Sequence, residues 1–202
     1  MLKRWTSLGG MCFIFLACQH QPHKENYSLP ALDGNSVNVI VEIPAGTNTK
    51  IEYNPVNGVF VPDTLMGKTR VIEFLPYPGN YGFVPSTMMS ETKGGDGDAL
   101  DILVIGQSMP TGTVLKAKLI GALLLKDAGE LDTKLIAIPM DENARTLKAD
   151  NFLSLLLDYD PAKRIIEEWF LNYKGKGVME LIRWEDENYA LQEIKKWSKT
   201  KE

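Results

Sequence analysis

Between Val37 and Pro139 the chain runs through short apolar stretches broken by Gly, Pro, Asp and Asn. "VNVIVEI" (37–43), "GVFV" (58–61), "RVIEFL" (70–75), "LDILVIG" (100–106), "TVLKAKLIGALLL" (113–125) and "KLIAIP" (134–139) are rich in β-branched residues and read as strands. The period then changes. "DPAKRIIEEWFLNYKGKG" places Asp160 as an N-cap, Pro161 at the first helical position and Gly175 at the stop, with Ile165, Ile166, Trp169, Phe170 and Tyr173 on one face. "EDENYALQEIKKWSK" repeats the pattern with Ala190, Ile194 and Trp197. Strands first and helices last predict an α+β, mainly β fold: a barrel or tight antiparallel sheet with C-terminal helices packed outside.

The first residues carry a different signal. "MLKRWTSLGGMCFIFLACQH" combines a basic start (Lys3, Arg4) with a short apolar run and a small residue before Cys18, the form of a secretory signal peptide. The apolar run is far shorter than the roughly 20 residues of a spanning helix. Residues 15–18, "FLAC", resemble a bacterial lipobox, with Phe where Leu is usual, which marks Cys18 as the lipidated first residue of the mature chain. The expected organisation is a lipoprotein-type signal (1–17), a polar tether (18–36) and a single domain (37–202). The expected location is a membrane facing the periplasm. Because Gln19, not Asp, follows Cys18, the outer membrane is favoured; a misplaced start would make the protein cytoplasmic instead. Cys12 leaves with the signal, so the mature domain holds no disulfide.

Length and composition suit one globular domain, since 202 residues with 44% hydrophobic content can bury a continuous core. Removal of Lys3 and Arg4 leaves 20 basic against 26 acidic residues. An acidic chain without a basic run is a poor nucleic-acid binder.

Candidate chemistry concentrates in "GGDGDALDILVIG" (94–106), where Asp96, Asp98 and Asp101 crowd together just before a strand. A solvated acidic loop is the plain reading of such a cluster. An EF-hand fails on spacing, because Gln107 stands where a bidentate Glu is needed and no helix follows. A haloacid-type phosphatase fails because Leu100 occupies the place of its Thr. Carboxylates without Cys or His nearby otherwise suit a hard cation such as Mg²⁺, Mn²⁺ or Ca²⁺.

The cluster is one of an ordered series. "VEIP" (41–44), "KIEY" (50–53), "GKTR" (67–70), "YPGNYG" (77–82), "DGDALD" (96–101), "DAGELDTK" (127–134) and "NYK" (172–174) together resemble the soluble family I inorganic pyrophosphatases from Val37 to about Lys176. The resemblance implies a five-stranded OB-like β-barrel with flanking helices. It also implies Mg²⁺-dependent hydrolysis of pyrophosphate by a metal-bridged hydroxide, with Mn²⁺ able to substitute. By carry-over, Asp96, Asp101 and Asp132 hold the first metal, Asp101 bridges to the second, Asp127 joins Asp132 for a further ion, and Glu42 is an additional partner. Asp98 takes the general-base position. Lys50, Arg70, Tyr81, Lys134, Tyr173 and Lys174 grip the phosphates, with Arg70 and Tyr81 also serving catalysis. Glu52 and Tyr77 are supporting positions. The family forms homo-oligomers, which is the expectation here.

Three details qualify the match. Ala99 stands where Pro is usual, Ala128 where an acid is common, and Lys68 is the alternative to Arg70 as phosphate cation. Two other functions share this residue set: a lipid-tethered metal- or phosphate-binding module without catalysis, and a hydrolase of another polyphosphate.

Overall fold

The computed structural model of the protein describes residues 27–93 and 95–199. The signal region, Cys18 and the first part of the expected tether lie outside these residues. The strands are β1 (Leu32–Asp33), β2 (Ser36–Ile43), β3 (Ile51–Asn54), β4 (Val59–Pro62), β5 (Thr64–Leu65), β6 (Lys68–Thr69), β7 (Asn80–Phe83), β8 (Asp101–Val104), β9 (Val114–Asp127), β10 (Glu130–Pro139) and β11 (Met179–Glu185). Three α-helices follow the barrel strands: α1 (Phe152–Asp158), α2 (Asp160–Asn172) and α3 (Glu187–Trp197).

Five strands close a ring in the order β2-β7-β8-β10-β9, and β9 returns to pair with β2. Only β8 and β10 run parallel; every other neighbour in the ring is antiparallel. That is the connectivity of an OB-type barrel. Closure depends on β9, which is long enough for its first part to bond β2 while its last part bonds β11. The extra residue Ile120 makes a bulge opposite Ile136 and Ala137, and bulges of this kind bend a strand from one neighbour toward another.

Strand alternation sends successive residues to two cores. Ile102, Val104, Leu135 and Ala137 join Ala190, Ile194 and Trp197 of α3. Leu103, Ile105, Ile136 and Ile138 join Ile166, Trp169 and Phe170 of α2. Burying such side chains is worth about 1.5–3 kcal/mol each, which explains why these strands read as unbroken apolar runs.

The structure corrects three local expectations. Residues 70–75 do not form a strand; only Val71 makes an isolated bridge, to Thr49. The Arg70 carbonyl and Ile72 amide bond Lys50 and Asn48 and Ile72 is buried, but Glu73, Phe74 and Leu75 are exposed and Pro76 ends the run, so the pairing goes no further. Ile165 is 61% exposed, while Ile166 on the adjacent face is buried. Asp160 lies inside α2, whose N-cap is Tyr159 without a side-chain cap, and Arg164 one turn on takes the Asp160 carboxylate at 3.1 Å. β3, β7, β11 and α1 were not legible as elements in the sequence. No helix among the described residues is long and apolar enough to cross a membrane.

Candidate active site

One cavity of about 700 Å³ opens between the ring, the β3–β4 hairpin, the acidic loop and the end of α2. It is lined by eight carboxylates (Glu42, Glu52, Asp96, Asp98, Asp101, Asp127, Glu130, Asp132) and four lysines (Lys50, Lys134, Lys174, Lys199). Tyr77, Tyr81 and Tyr173 complete the wall. The barrel explains much of this convergence. In the parallel register of β8 and β10, Lys134 lies directly beside Asp101. Asp132, two residues earlier on β10, points to the same face. Lys134 is 5% exposed at its side chain and bonds Asp101 at 2.5 Å and Asp132 at 2.6 Å. Asp127 ends β9, and α2 delivers Tyr173 and Lys174 at its C-terminus, where Lys174 pairs with Asp127.

The "YPGNYG" motif has a packing reason at four of its positions. A side chain at Gly82 would sit 1.9 Å from the Ile40 carbonyl oxygen, so only glycine lets β7 approach β2. Buried Asn80 accepts from the amides of Ala45 and Met109 and donates to the Gln107 carbonyl, tying the loops after β2 and β8 to β7. Tyr77 and Tyr81 are held at ring distances of 4.5 Å to Trp169 and 6.3 Å to Phe170, and Tyr173 stacks on Trp169 at 4.7 Å. The sheet and α2 thus share one aromatic wall behind the lysines.

The acidic loop is built differently. Gly97 has φ of +88°, a conformation glycine adopts without strain, and the Asp98 amide donates to Asp96 Oδ1 at 2.9 Å. The Met89 amide donates to the Asp98 carbonyl, and Gly97 donates back to the Met89 carbonyl, both at 2.7 Å. Asp96 and Asp98 are therefore held by backbone turns, with their side chains exposed.

Charge and burial shift the acids unequally. Burial pushes Glu42 up to about 8, with Asp101 and Glu52 adding to it against the Tyr53 amide and Lys50. Burial also raises Asp98, together with Asp96 and Asp101. Asp132 is raised by burial against the pull of Lys134. Burial alone would lower Lys134, but Asp101 and Asp132 outweigh it and hold the ammonium firmly charged. The phenols of Tyr77, Tyr81 and Tyr173 are raised by burial first, so they stay protonated donors.

All the residues expected at the site line this cavity except Arg70. Arg70 binds Asp63 at 3.1 Å, and Lys50 reaches the same carboxylate at 3.4 Å. Lys68 is exposed on β6. Among the described residues no three acidic, histidine or cysteine side chains converge into a ready cage for a cation. Lys134 and Lys174 instead hold Asp101, Asp132 and Asp127. The donor set nonetheless fits hard divalent cations: the lining holds no His or Cys, and carboxylates exceed lysines two to one. Sequence reasoning missed Asp63, Lys199 and Tyr27, which stand in no motif, and passed over Glu130 inside "DAGELDTK" and Tyr53 at the end of "KIEY".

An OB-type barrel with carboxylates and lysines gathered in one cavity defines a class: a protein built to hold a polyanion together with hard cations. The inorganic pyrophosphatase family profile matches residues 39–202. The inorganic pyrophosphatase of Haemophilus influenzae is 36% identical over 177 residues, covering 83% of this chain and 92% of its own. That of Neisseria meningitidis serogroup A is 34% identical over 180 residues, with the same coverage. The Helicobacter pylori inorganic pyrophosphatase structure superposes with a TM-score of 0.70 at 30% identity, covering 84% of this chain and 95% of that one. The chain belongs to the inorganic pyrophosphatase family.

Proposed function

We propose that the protein hydrolyses inorganic pyrophosphate to two phosphates with the help of bound divalent cations, Mg²⁺ first among them. The observation that carries this reading is a cavity in which Lys50, Lys134 and Lys174 face a larger number of carboxylates. Lysines alone would suit any phosphate. The excess of acids makes sense only where cations accompany the anion. Asp96, Asp101, Asp132 and Asp127 would hold those cations, with Glu42 as a further partner. Bound there, such cations would neutralise the substrate and acidify the attacking water.

The protein's own groups divide the remaining work. Lys134, Lys174, Lys50, Tyr81 and Tyr173 bind phosphate oxygens by charged and phenolic hydrogen bonds. Asp98 takes the proton of the water that attacks phosphorus, and its raised basicity suits that role. As the bridging P–O bond breaks, the same lysines and phenols meet the charge on the departing phosphate. Glu52 keeps Lys50 in place through their ion pair, and Tyr77 supports Tyr81 at a ring distance of 5.3 Å. A phosphate contact from Arg70 requires its release from Asp63.

Phosphate release from pyrophosphate should occur with Mg²⁺ and stop with chelator. Tight binding without release would favour the binding module, and faster release from tripolyphosphate would favour a different polyphosphate as substrate.

The proposal extends to location and assembly. Lipidation at Cys18 holds the protein at a membrane outside the cytoplasm, the outer membrane in a two-membrane cell. Several acyl chains give a stable anchor where one gives only marginal binding. Residues from Tyr27 onward already lie against the barrel, so nine residue steps, at most roughly 30 Å of chain, separate Cys18 from the cavity rim. Cys18→Ser should move the protein to the soluble fraction at unchanged specific activity; a parent chain that keeps Met1 and fractionates with cytosol would refute export. Self-association is supported by the apolar surface of α1 and α2, where Leu153, Leu157 and Ile165 are 61%, 70% and 61% exposed. Light scattering reads it directly.

A further inference from the structure

The β3–β4 hairpin carries Lys50 at its edge and Glu52 on β3, yet it forms a two-stranded sheet of its own, outside the ring. Its middle must therefore be fixed to the barrel by side chains. Tyr53 stacks on Phe83 of β7, with ring centroids 5.6 Å apart and planes within 22°. A second ring closes over it from the N-terminal segment. Tyr27 packs edge-on against Tyr53 at 5.1 Å and against Phe60 of β4 at 5.8 Å, touching both hairpin strands.

Tyr27 is itself tied down. Its hydroxyl donates to the Gly112 carbonyl at 3.0 Å, and the Gly112 amide donates to the Val41 carbonyl of β2 at 2.8 Å. Thr111 in the same loop donates to the Glu42 carbonyl at 2.8 Å. The rest of the segment is clamped behind it, with Ser86 donating to the Leu29 carbonyl and the Asn38 side chain to the Pro30 carbonyl. What Tyr27 steadies matters because the Tyr53 amide donates to Glu42 Oε1 at 2.7 Å. The path runs from Tyr27 to the Tyr53 ring and backbone, and then to a carboxylate lining the cavity.

We propose that Tyr27 is a positioning residue for this site, stapling the β3–β4 hairpin to the barrel so that Glu42, Lys50 and Glu52 keep their places. The role rests on the pyrophosphatase reading for its effect on turnover, but its structural half does not. Tyr27 precedes the first residue matched by the family profile, Val39, so the staple comes from a segment outside the matched span. It also joins the cavity rim to whatever the preceding residues are attached to.

The test uses the full chain with Tyr27→Ala and Tyr27→Phe, and Tyr27→Leu as a bulkier variant if the alanine chain does not fold. Hydrogen exchange of the metal-free protein should show the Tyr53 amide and its β3–β4 neighbours opening about tenfold more often in the alanine chain, with β8 and β10 amides unchanged. The phenylalanine chain keeps the rings and should lie near the parent. kcat/KM for pyrophosphate should fall about tenfold with alanine, the size expected when a group orienting a site residue is lost, and mostly recover with phenylalanine. Unchanged hairpin exchange in the alanine or leucine chain overturns the staple. A loosened hairpin with full turnover in an otherwise active enzyme overturns the positioning role. A parent that releases no phosphate, while the exchange pattern holds, overturns the pyrophosphatase reading and leaves the staple standing.

Discussion

Lys134 and Asp101 meet across two hydrogen-bonded strands of a closed ring, whereas Lys50, just before β3, and Glu52 on β3 meet along one edge of a hairpin that shares no ladder with that ring. The first pair is set by strand register and buried packing: Lys134 cannot move without disturbing β8 and β10 together. The second is set by side chains laid over a small sheet, and Glu52 is half exposed. The acidic loop of Asp96 and Asp98 belongs with the hairpin in this respect, since backbone turns hold it and solvent reaches it. The difference separates two tasks. The barrel wall keeps charges of both signs close in a low-dielectric setting, which only rigid backbone can sustain. The loop and hairpin present groups that must meet substrate and solvent.

The largest expected effect is on the exposed side. Asp98→Asn should lower kcat by roughly 10²- to 10⁴-fold, the usual share of general-base catalysis, while the melting temperature stays within about 1 °C because the side chain is exposed. Turnover kinetics and thermal melts on one preparation check both halves; unchanged kcat would reject the role.

On the buried side the effect should be on stability. Lys134→Met leaves Asp101 and Asp132 facing each other without their cation and should cost the metal-free fold about 3 kcal/mol. Millimolar Mg²⁺ should recover much of that loss by replacing the missing charge. Melts with and without Mg²⁺ decide the matter, and an equal loss in both would mean that no cation binds between these acids.

The pH dependence sharpens the comparison where the two regions meet, at Glu42. Its carboxyl is raised from 4.5 to about 8 in the metal-free protein, so the folded chain holds a proton there that the unfolded chain has released. That contribution to stability is complete below pH 4.5 and is lost as pH rises toward 8. If Glu42 binds a cation, the proton must leave, and Mg²⁺ affinity should rise up to about tenfold per pH unit below that value. Calorimetry in two buffers of different ionisation enthalpy should find about one proton released at pH 7. Glu42→Gln should abolish it.

The smallest effect lies at the β9–β10 turn. Ala128 and Gly129 have φ of +50° and +98° in a two-residue turn, where alanine is strained. Ala128→Asn should stabilise the protein by about 1 kcal/mol, or roughly 2–4 °C in Tm, with turnover unchanged. A drop in Tm would mean that Ala128 is favoured by a contact the turn geometry does not account for.

Much of the site was legible because its chemistry sits in short motifs whose residue types are chemically constrained. Asp96, Asp98 and Asp101 are adjacent in sequence, and the glycines of "YPGNYG" mark backbone approaches that no side chain permits. The long strands were legible because both of their faces are buried, leaving runs such as "DILV" and "LIGALLL". What failed was wherever burial alone decides. "RVIEFL" has strand propensity but meets a neighbour only over residues 70–72, and Ile165 has helical spacing but no surface to cover it.

Local sequence thus determined the types of element along most of the barrel and the acids and bases available to the site. Only the tertiary structure decided which of them meet. The parallel register of β8 and β10 sets Lys134 against Asp101, Asp63 draws Arg70 away from the cavity lining, and Tyr27 of the expected tether packs on Tyr53. Each of these contacts joins residues at least seven positions apart. Their energy depends on distance in space, and no period or propensity along the chain encodes it.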